Sequence, residues 1–140
     1  METRITWQQD MAFSAEIDGF TLTLDADPAA GGHGRGPKPK GLTLVALGGC
    51  TAMDVISILR KMRQPVSGLT IEVAGEVAAE HPRRIASATV RYLVTGEGLD
   101  PERVRRAVEL SETTYCGVSA TLRPGVALRS EIWINGERLG

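Results

Sequence analysis

The sequence predicts an α+β fold built on antiparallel sheet. Three observations carry that expectation. Strand-like and helix-like segments come in blocks rather than in strict alternation. One long apolar stretch, Leu42 to Leu59, lacks both proline and the period-2 alternation of a strand. A second helix announces itself with Asp100-Pro101-Glu102, an N-cap residue, a proline for the first helical position and an acid for the first turn.

The first block is a predicted β-meander. Ile5 and Trp7 share one side of a short strand, Met11, Phe13, Ala15 and Ile17 alternate along a second, and Phe20, Leu22 and Leu24 along a third. Asp18-Gly19 lies between the last two runs, and Asp-Gly between alternating apolar runs is a hairpin signal. Asp27 to Pro39, DPAAGGHGRGPKP, is rich in Gly and Pro and reads as a loop, mobile when unliganded, made basic by His33, Arg35, Lys38 and the following Lys40.

Lys40 to Arg63, KGLTLVALGGCTAMDVISILRKMR, is the stretch around which the chain is organised. Its apolar residues fall at helical spacings on more than one face, which predicts a buried central helix. Arg60, Lys61 and Arg63 crowd the end where cations suit the helix dipole. Gly48 and Gly49 are costly in mid-helix, about 1 kcal/mol each against Ala, and imply that another backbone packs close to Cys50. A membrane span is the alternative, but Asp54 interrupts it and the rest of the chain reads as a soluble domain.

The second strand block pairs Leu69, Ile71, Val73, Val77 and Ala79 with Ala86, Ala88, Val90, Tyr92 and Val94 around a turn at His81 to Arg84, predicting a long antiparallel hairpin. Glu72, Glu76 and Glu80 are then its wet face. The second helix takes Val104, Ala107, Val108, Leu110, Ser111, Thr114 and Tyr115 as its inner face, ends or bends at Cys116-Gly117, and gains a turn over Val118 to Leu122. Val126, Leu128, Ile132 and Ile134 form the last strand.

Composition sets bounds. The chain has 140 residues, enough for one domain spanning 1–140 with a genuine core. A net charge of −1 with no like-charge block gives no reason to expect nucleic-acid or membrane partners. The polar, strand-like start METRITWQQD predicts no signal peptide, and two cysteines without one predict a reducing cytoplasm. Neither a phosphate-binding loop nor a dinucleotide fingerprint is present. No CxxC or HxxxH spacing marks a metal site, so neither metal nor cofactor is expected.

The chemistry therefore rests on Cys50 and Cys116. If the two helices pack together, their thiols can meet and cycle between dithiol and disulfide. The plain alternative is two inert core cysteines. Burial raises a thiol pKa, and Asp54, four residues on, raises that of Cys50 further. A reactive Cys50 then needs a cation, for which Arg35 is the first candidate, followed by Lys38, Lys40 and His33.

Two segments resemble one known family: PKPKGLTLVALGGCTAMDVISILRKMR, Pro37 to Arg63, and TYCGVSATL, Thr114 to Leu122. Together with the order of elements they are similar to the OsmC/Ohr family of osmotically induced and organic-hydroperoxide-resistance proteins, in its OsmC-like redox-protein branch. The resemblance covers essentially the whole chain. It implies an α+β intertwined homodimer with antiparallel sheets wrapped around two long central helices. It also implies reduction of organic hydroperoxides, with Cys50 as the peroxidatic thiolate, Cys116 as the resolving thiol and an external dithiol as reductant. Active members orient the first cysteine with an arginine and with a glutamate just before the central helix. Here Pro39 is followed by Lys40 and Gly41, so that glutamate is absent, and Arg35 is the candidate for the arginine. The second expectation is a non-catalytic dimer that binds an apolar small molecule at its cleft. A structural dimer with no site is the third.

Overall fold

Each strand and helix forms where its local signals place it, and a computed structural model describes the whole chain, residues 1–140. The chain divides into two compact units, Met1–Thr43 and Leu44–Gly140.

The first unit is a three-stranded antiparallel meander: β1 (Thr3–Gln9), β2 (Ala12–Ile17) and β3 (Phe20–Leu24). Asp18 and Gly19 both take positive φ, 52° and 80°, as a two-residue hairpin turn matched to strand twist requires. A register shift between Trp7 and Gln9 bulges β1 before its turn. The loop expected to be mobile carries its own anchor. The buried Asp25 carboxylate accepts from the backbone N–H groups of Ala26 at 2.7 Å, Arg35 at 3.1 Å and His33 at 3.2 Å. These bonds, that from Arg35 foremost, hold Asp25 below the ordinary carboxylate pKa. Gly36 fits because a Cβ there would run into the Thr23 carbonyl.

Helix α1 (Pro39–Lys61) opens with proline at a position where its missing N–H costs nothing. It ends on Arg63 at φ 57°, with Gln64 N–H returning to Leu59 O at 2.9 Å, a left-handed helix stop made without glycine. In the second unit follow β4 (Gly68–Val77), β5 (Ile85–Thr95), α2 (Pro101–Leu110), α3 (Gly117–Leu122), β6 (Ala127–Ile134) and the short β7 (Glu137–Arg138). Asp100 caps α2 by accepting from Glu102 N–H at 3.0 Å.

The sheet order is β4-β5-β6-β7. The β4–β5 hairpin is antiparallel, as expected, with Val73 opposite Val90 and Ile71 opposite Tyr92. β6, however, runs parallel to β5, so this sheet is mixed rather than antiparallel throughout. The cause is the connection: α2 and α3 carry the chain back across the sheet, and a crossover returns it in the same direction.

Leu47, Val55 and Leu59 of α1 join Val90, Tyr92 and Val94 of β5, Val104, Ala107 and Val108 of α2, and Ile132 of β6 in one core. The expectation that α1 is buried nearly all round does not hold within one chain. Its buried stripe is Leu47, Gly48, Thr51, Val55 and Leu59, while Val45 and Met53 are 67% and 73% exposed. Gly48 makes a close approach, but to side chains rather than to a backbone: a Cβ there would sit 3.0 Å from Val73 Cγ2 of β4. Gly49 has nothing near it. The second cysteine-bearing helix is also not one long rod. After Leu110 the backbone widens into a π-helical turn, Ser111–Tyr115, and then breaks at Cys116. Thr113 Oγ1 donates to the Glu109 carbonyl at 2.8 Å within this region.

Candidate active site

Helical spacing alone puts Cys50 and Asp54 on neighbouring turns of one face of α1. Cys116 arrives from elsewhere. The α2 core stripe runs Val104, Ala107, Val108, Ser111, and normal helical phase would carry it on to Tyr115. The π turn adds one residue, with Cys116 N–H bonded to Ser111 O at 2.8 Å. Tyr115 is thereby turned out, 61% exposed, and Cys116 is turned in and buried. Thr114, also expected on the inner face, is exposed.

The result is a tight cluster. The Cys50 and Cys116 sulfurs and an Asp54 carboxylate oxygen all lie within 4.8 Å of one another, and both cysteines are free thiols. The two helical segments thus bring the thiols together, as the dithiol reading requires. The sulfurs must still close to about 2.05 Å to bond.

Backbone N–H groups of α3 address both sulfurs. Cys116 is the N-cap of α3, its Sγ accepting from Ser119 N–H at 3.3 Å. Cys50 accepts from Val118 N–H. Burial nevertheless pushes the Cys50 thiol above its ordinary value, and the neighbouring Cys116 thiol and Asp54 carboxylate push it further, against the lowering effect of Val118. The upward influence of Asp54 was legible from the i, i+4 spacing. The Val118 N–H was not, because it depends on how the chain resumes after the π turn.

Asp54 is held by a hydroxyl rather than by a cation: Ser111 Oγ donates to Asp54 Oδ2 at 2.9 Å. From there a chain of side chains runs through the core. Ser111 Oγ and Thr51 Oγ1 are 2.8 Å apart, Thr51 Oγ1 and Tyr92 OH 2.8 Å, and Tyr92 OH reaches Glu112 Oε1 at 3.2 Å. Since Ser111 donates to Asp54, Thr51 donates to Ser111 and accepts from Tyr92. The single Tyr92 proton then serves Thr51 and Glu112 in turn. Burial, reinforced by Glu112, raises the Tyr92 pKa well above the ordinary phenol value, so the phenol keeps that proton. Sequence reasoning missed this network. Thr51 is a polar residue in an apolar stretch, and nothing in the sequence ties it to Tyr92.

A cavity of about 380 Å³ adjoins the cluster at Asp54, lined by Asp54, Ser57, Ile58, Met62, Leu110 and Tyr115, with Lys61 also on its wall. Three of the four candidate cations have acidic neighbours within the first unit. Arg35 lies 3.7 Å from Asp10, His33 lies 3.2 Å from the same carboxylate, and Lys38 pairs with Asp27 at 2.9 Å.

Comparison with known proteins agrees with this arrangement of elements. Residues 32–131 match the family model described as OsmC-like protein. The chain is 34% identical over 127 residues to Protein YhfA of Escherichia coli K12, covering 90% of this chain and 92% of that one. Among solved structures, a hypothetical protein from Aquifex aeolicus superposes with a TM-score of 0.85 at 26% identity, covering 96% of this chain and 95% of that one. An organic hydroperoxide resistance protein from Elizabethkingia anophelis shares the fold, with a TM-score of 0.71 at 11% identity over 95% of this chain and 94% of that one. An α+β chain with two sheets, its cysteine-bearing helix packed on one of them, and a family match over most of its length belongs to the OsmC-like protein family, within OsmC/Ohr.

Proposed function

We propose that this protein is a thiol-dependent reductase of organic hydroperoxides that works as a cytoplasmic homodimer, with Cys50 as the peroxidatic and Cys116 as the resolving cysteine. The observation that carries the reading is the convergence of two free thiols and a carboxylate within 4.8 Å from distant parts of the chain. Family membership and the hydroperoxide-resistance name of a structural neighbour support it.

In the proposed cycle Asp54 takes the Cys50 proton. The thiolate attacks the terminal peroxide oxygen, the O–O bond breaks, and the alkoxide takes that proton from Asp54 and leaves as the alcohol. Cys50 is now a sulfenic acid. Cys116 attacks the Cys50 sulfur and a disulfide forms. The Cys116 proton leaves with the displaced hydroxide as water, and an external dithiol restores both thiols. The Val118 N–H favours the thiolate form of Cys50, and Arg35 is the further cation we assign to that task. Ile58, Met62, Leu110 and Tyr115 give the adjoining cavity the apolar wall that an organic peroxide needs. The exposed Val45 and Met53 of α1 support a second copy of the chain as their cover.

The test is thiol counting and intact mass after one equivalent of cumene hydroperoxide. Loss of both thiols and of two hydrogens per chain, abolished by Cys50→Ser, is the expected result. Persistence of both thiols, with no turnover in excess dithiol, would instead favour the second reading, a non-catalytic dimer whose cavity binds an apolar molecule. The raised Cys50 pKa is the observation on that side.

A further inference from the structure

Two sulfurs and a carboxylate oxygen within 4.8 Å of one another are more than a redox pair requires. A disulfide joins the two sulfurs alone, and Asp54 forms no part of that bond. The same three atoms are, in type and in spacing, most of a coordination sphere. With Zn–S bonds of about 2.3 Å at a tetrahedral angle, two thiolate ligands sit about 3.8 Å apart. The observed bound therefore asks the two sulfurs to close by no more than about 1 Å around an ion.

The surroundings of the cluster fit that use. Ser111 Oγ fixes Asp54 Oδ2 at 2.9 Å, which orients the carboxylate and leaves its other oxygen for a ligand bond. N–H groups of Ser119 and Val118 point at Cys116 Sγ and Cys50 Sγ, and such bonds spread the negative charge of coordinated thiolates. Asp54 also lines the adjoining cavity, so solvent can reach the cluster and supply a fourth ligand. Two soft thiolates select against Mg²⁺ and Ca²⁺, and a tetrahedral mixed sulfur and oxygen set suits Zn²⁺.

We propose that the fully reduced protein binds one Zn²⁺ per chain through Cys50 Sγ, Cys116 Sγ and the Asp54 carboxylate, with a water as fourth ligand. On binding, two Zn–S bonds and one Zn–O bond form, both thiol protons pass to solvent, and no electrons move. The site stands independently of any hydroperoxide activity. It holds both thiols as metal thiolates and is lost when they join in a disulfide.

The test uses the full-length chain, reduced, freed of metal and kept anaerobic. Zn²⁺ is titrated in competition with a chromophoric chelator, and Co²⁺ serves as a spectroscopic probe. The expected result is one Zn²⁺ per chain. Co²⁺ should give sulfur-to-cobalt charge transfer and the intense visible bands of a tetrahedral ion. Asp54→Asn, whose amide can still accept from Ser111, should weaken Zn²⁺ binding by about tenfold or more while circular dichroism stays unchanged. The Cys50→Ser/Cys116→Ser double variant should abolish it. Should that variant misfold, wild-type protein oxidised with diamide provides the control without mutation. Equal Zn²⁺ binding by reduced and oxidised protein, unchanged affinity in Asp54→Asn, octahedral Co²⁺ spectra or a stoichiometry of one ion per two chains would each overturn the proposal. No peroxide enters the experiment, so its failure leaves the hydroperoxide reading untouched, and the reverse also holds.

Discussion

Replacing Thr51 by valine removes one oxygen from the centre of the buried polar chain and changes almost nothing else in shape. Thr51 is fully buried, and its hydroxyl makes two contacts of 2.8 Å, to Tyr92 OH and Ser111 Oγ. Both partners keep a second bond, Tyr92 to Glu112 and Ser111 to Asp54, so neither is left as an unsatisfied buried group. The loss is then the Thr51–Ser111 bond and the Thr51 share of the Tyr92 proton, up to about 2 kcal/mol of folding stability at about 1 kcal/mol per full bond. For a chain of this size that corresponds to a Tm lower by roughly 6 to 8 °C. Urea unfolding at fixed protein concentration measures it, and the midpoint should fall with no change in slope. Tyr92→Phe removes the other end of one of these bonds. The Thr51→Val/Tyr92→Phe double variant should therefore be less destabilised than the sum of the singles, with a coupling of about 0.5 to 1 kcal/mol. A Thr51→Val loss below about 0.5 kcal/mol, or strict additivity with Tyr92→Phe, would refute the view that this network is a cooperative part of the core.

Three further outcomes are expected. Asp54→Asn removes a negative charge that raises the Cys50 pKa, so iodoacetamide should alkylate Cys50 faster at a given pH, and the rate profile should move to lower pH; an unmoved profile would mean that burial alone sets the thiol. Met53→Lys places a cation on the exposed apolar side of α1, so if a second copy covers that face, light scattering should show a shift toward monomer with strong loss of stability; an unchanged mass would exclude that face from the interface. Asp25 has a lowered folded-state pKa. Its stabilisation of the loop is therefore present above the ordinary carboxylate value and lost as pH falls through the lowered one. Protection of the His33 and Arg35 amides, measured against the intrinsic exchange rate at each pH, should fall on acidification, and Asp25→Asn should show the lower protection already at neutral pH.

Much of the fold was legible because its signals are local. Asp18-Gly19 specifies a hairpin by backbone conformation alone, Asp100-Pro101 specifies a helix start, and alternation places Val73 and Val90 on the β4–β5 pair. The direction of β6 was less visible. Strand pattern carries no direction, although the helical stretch between β5 and β6 is long enough for a crossover, and that length was the available clue. At the site, Cys50 and Asp54 could be placed together because both lie on one regular helix. The position of Cys116 could not be read by counting turns, because a single extra residue in the π turn decides whether residue 115 or 116 faces inward. The partner of Arg35 was not legible for a different reason. A charge in a Gly-rich loop can meet any acid within reach, and the one beside it in the first unit is Asp10.

The π turn also takes up one residue more than an ordinary helix would between Ser111 and Cys116. Relaxing the turn to ordinary helix with all five residues kept would pass the inward position from the thiol to Tyr115, whereas deleting one residue from Ser111 to Tyr115 would restore helical phase and leave Cys116 facing inward. In an alignment of sequences with this fold, a single-residue gap just before the second cysteine would therefore mark an unbroken helix with its thiol still turned inward, not lost chemistry.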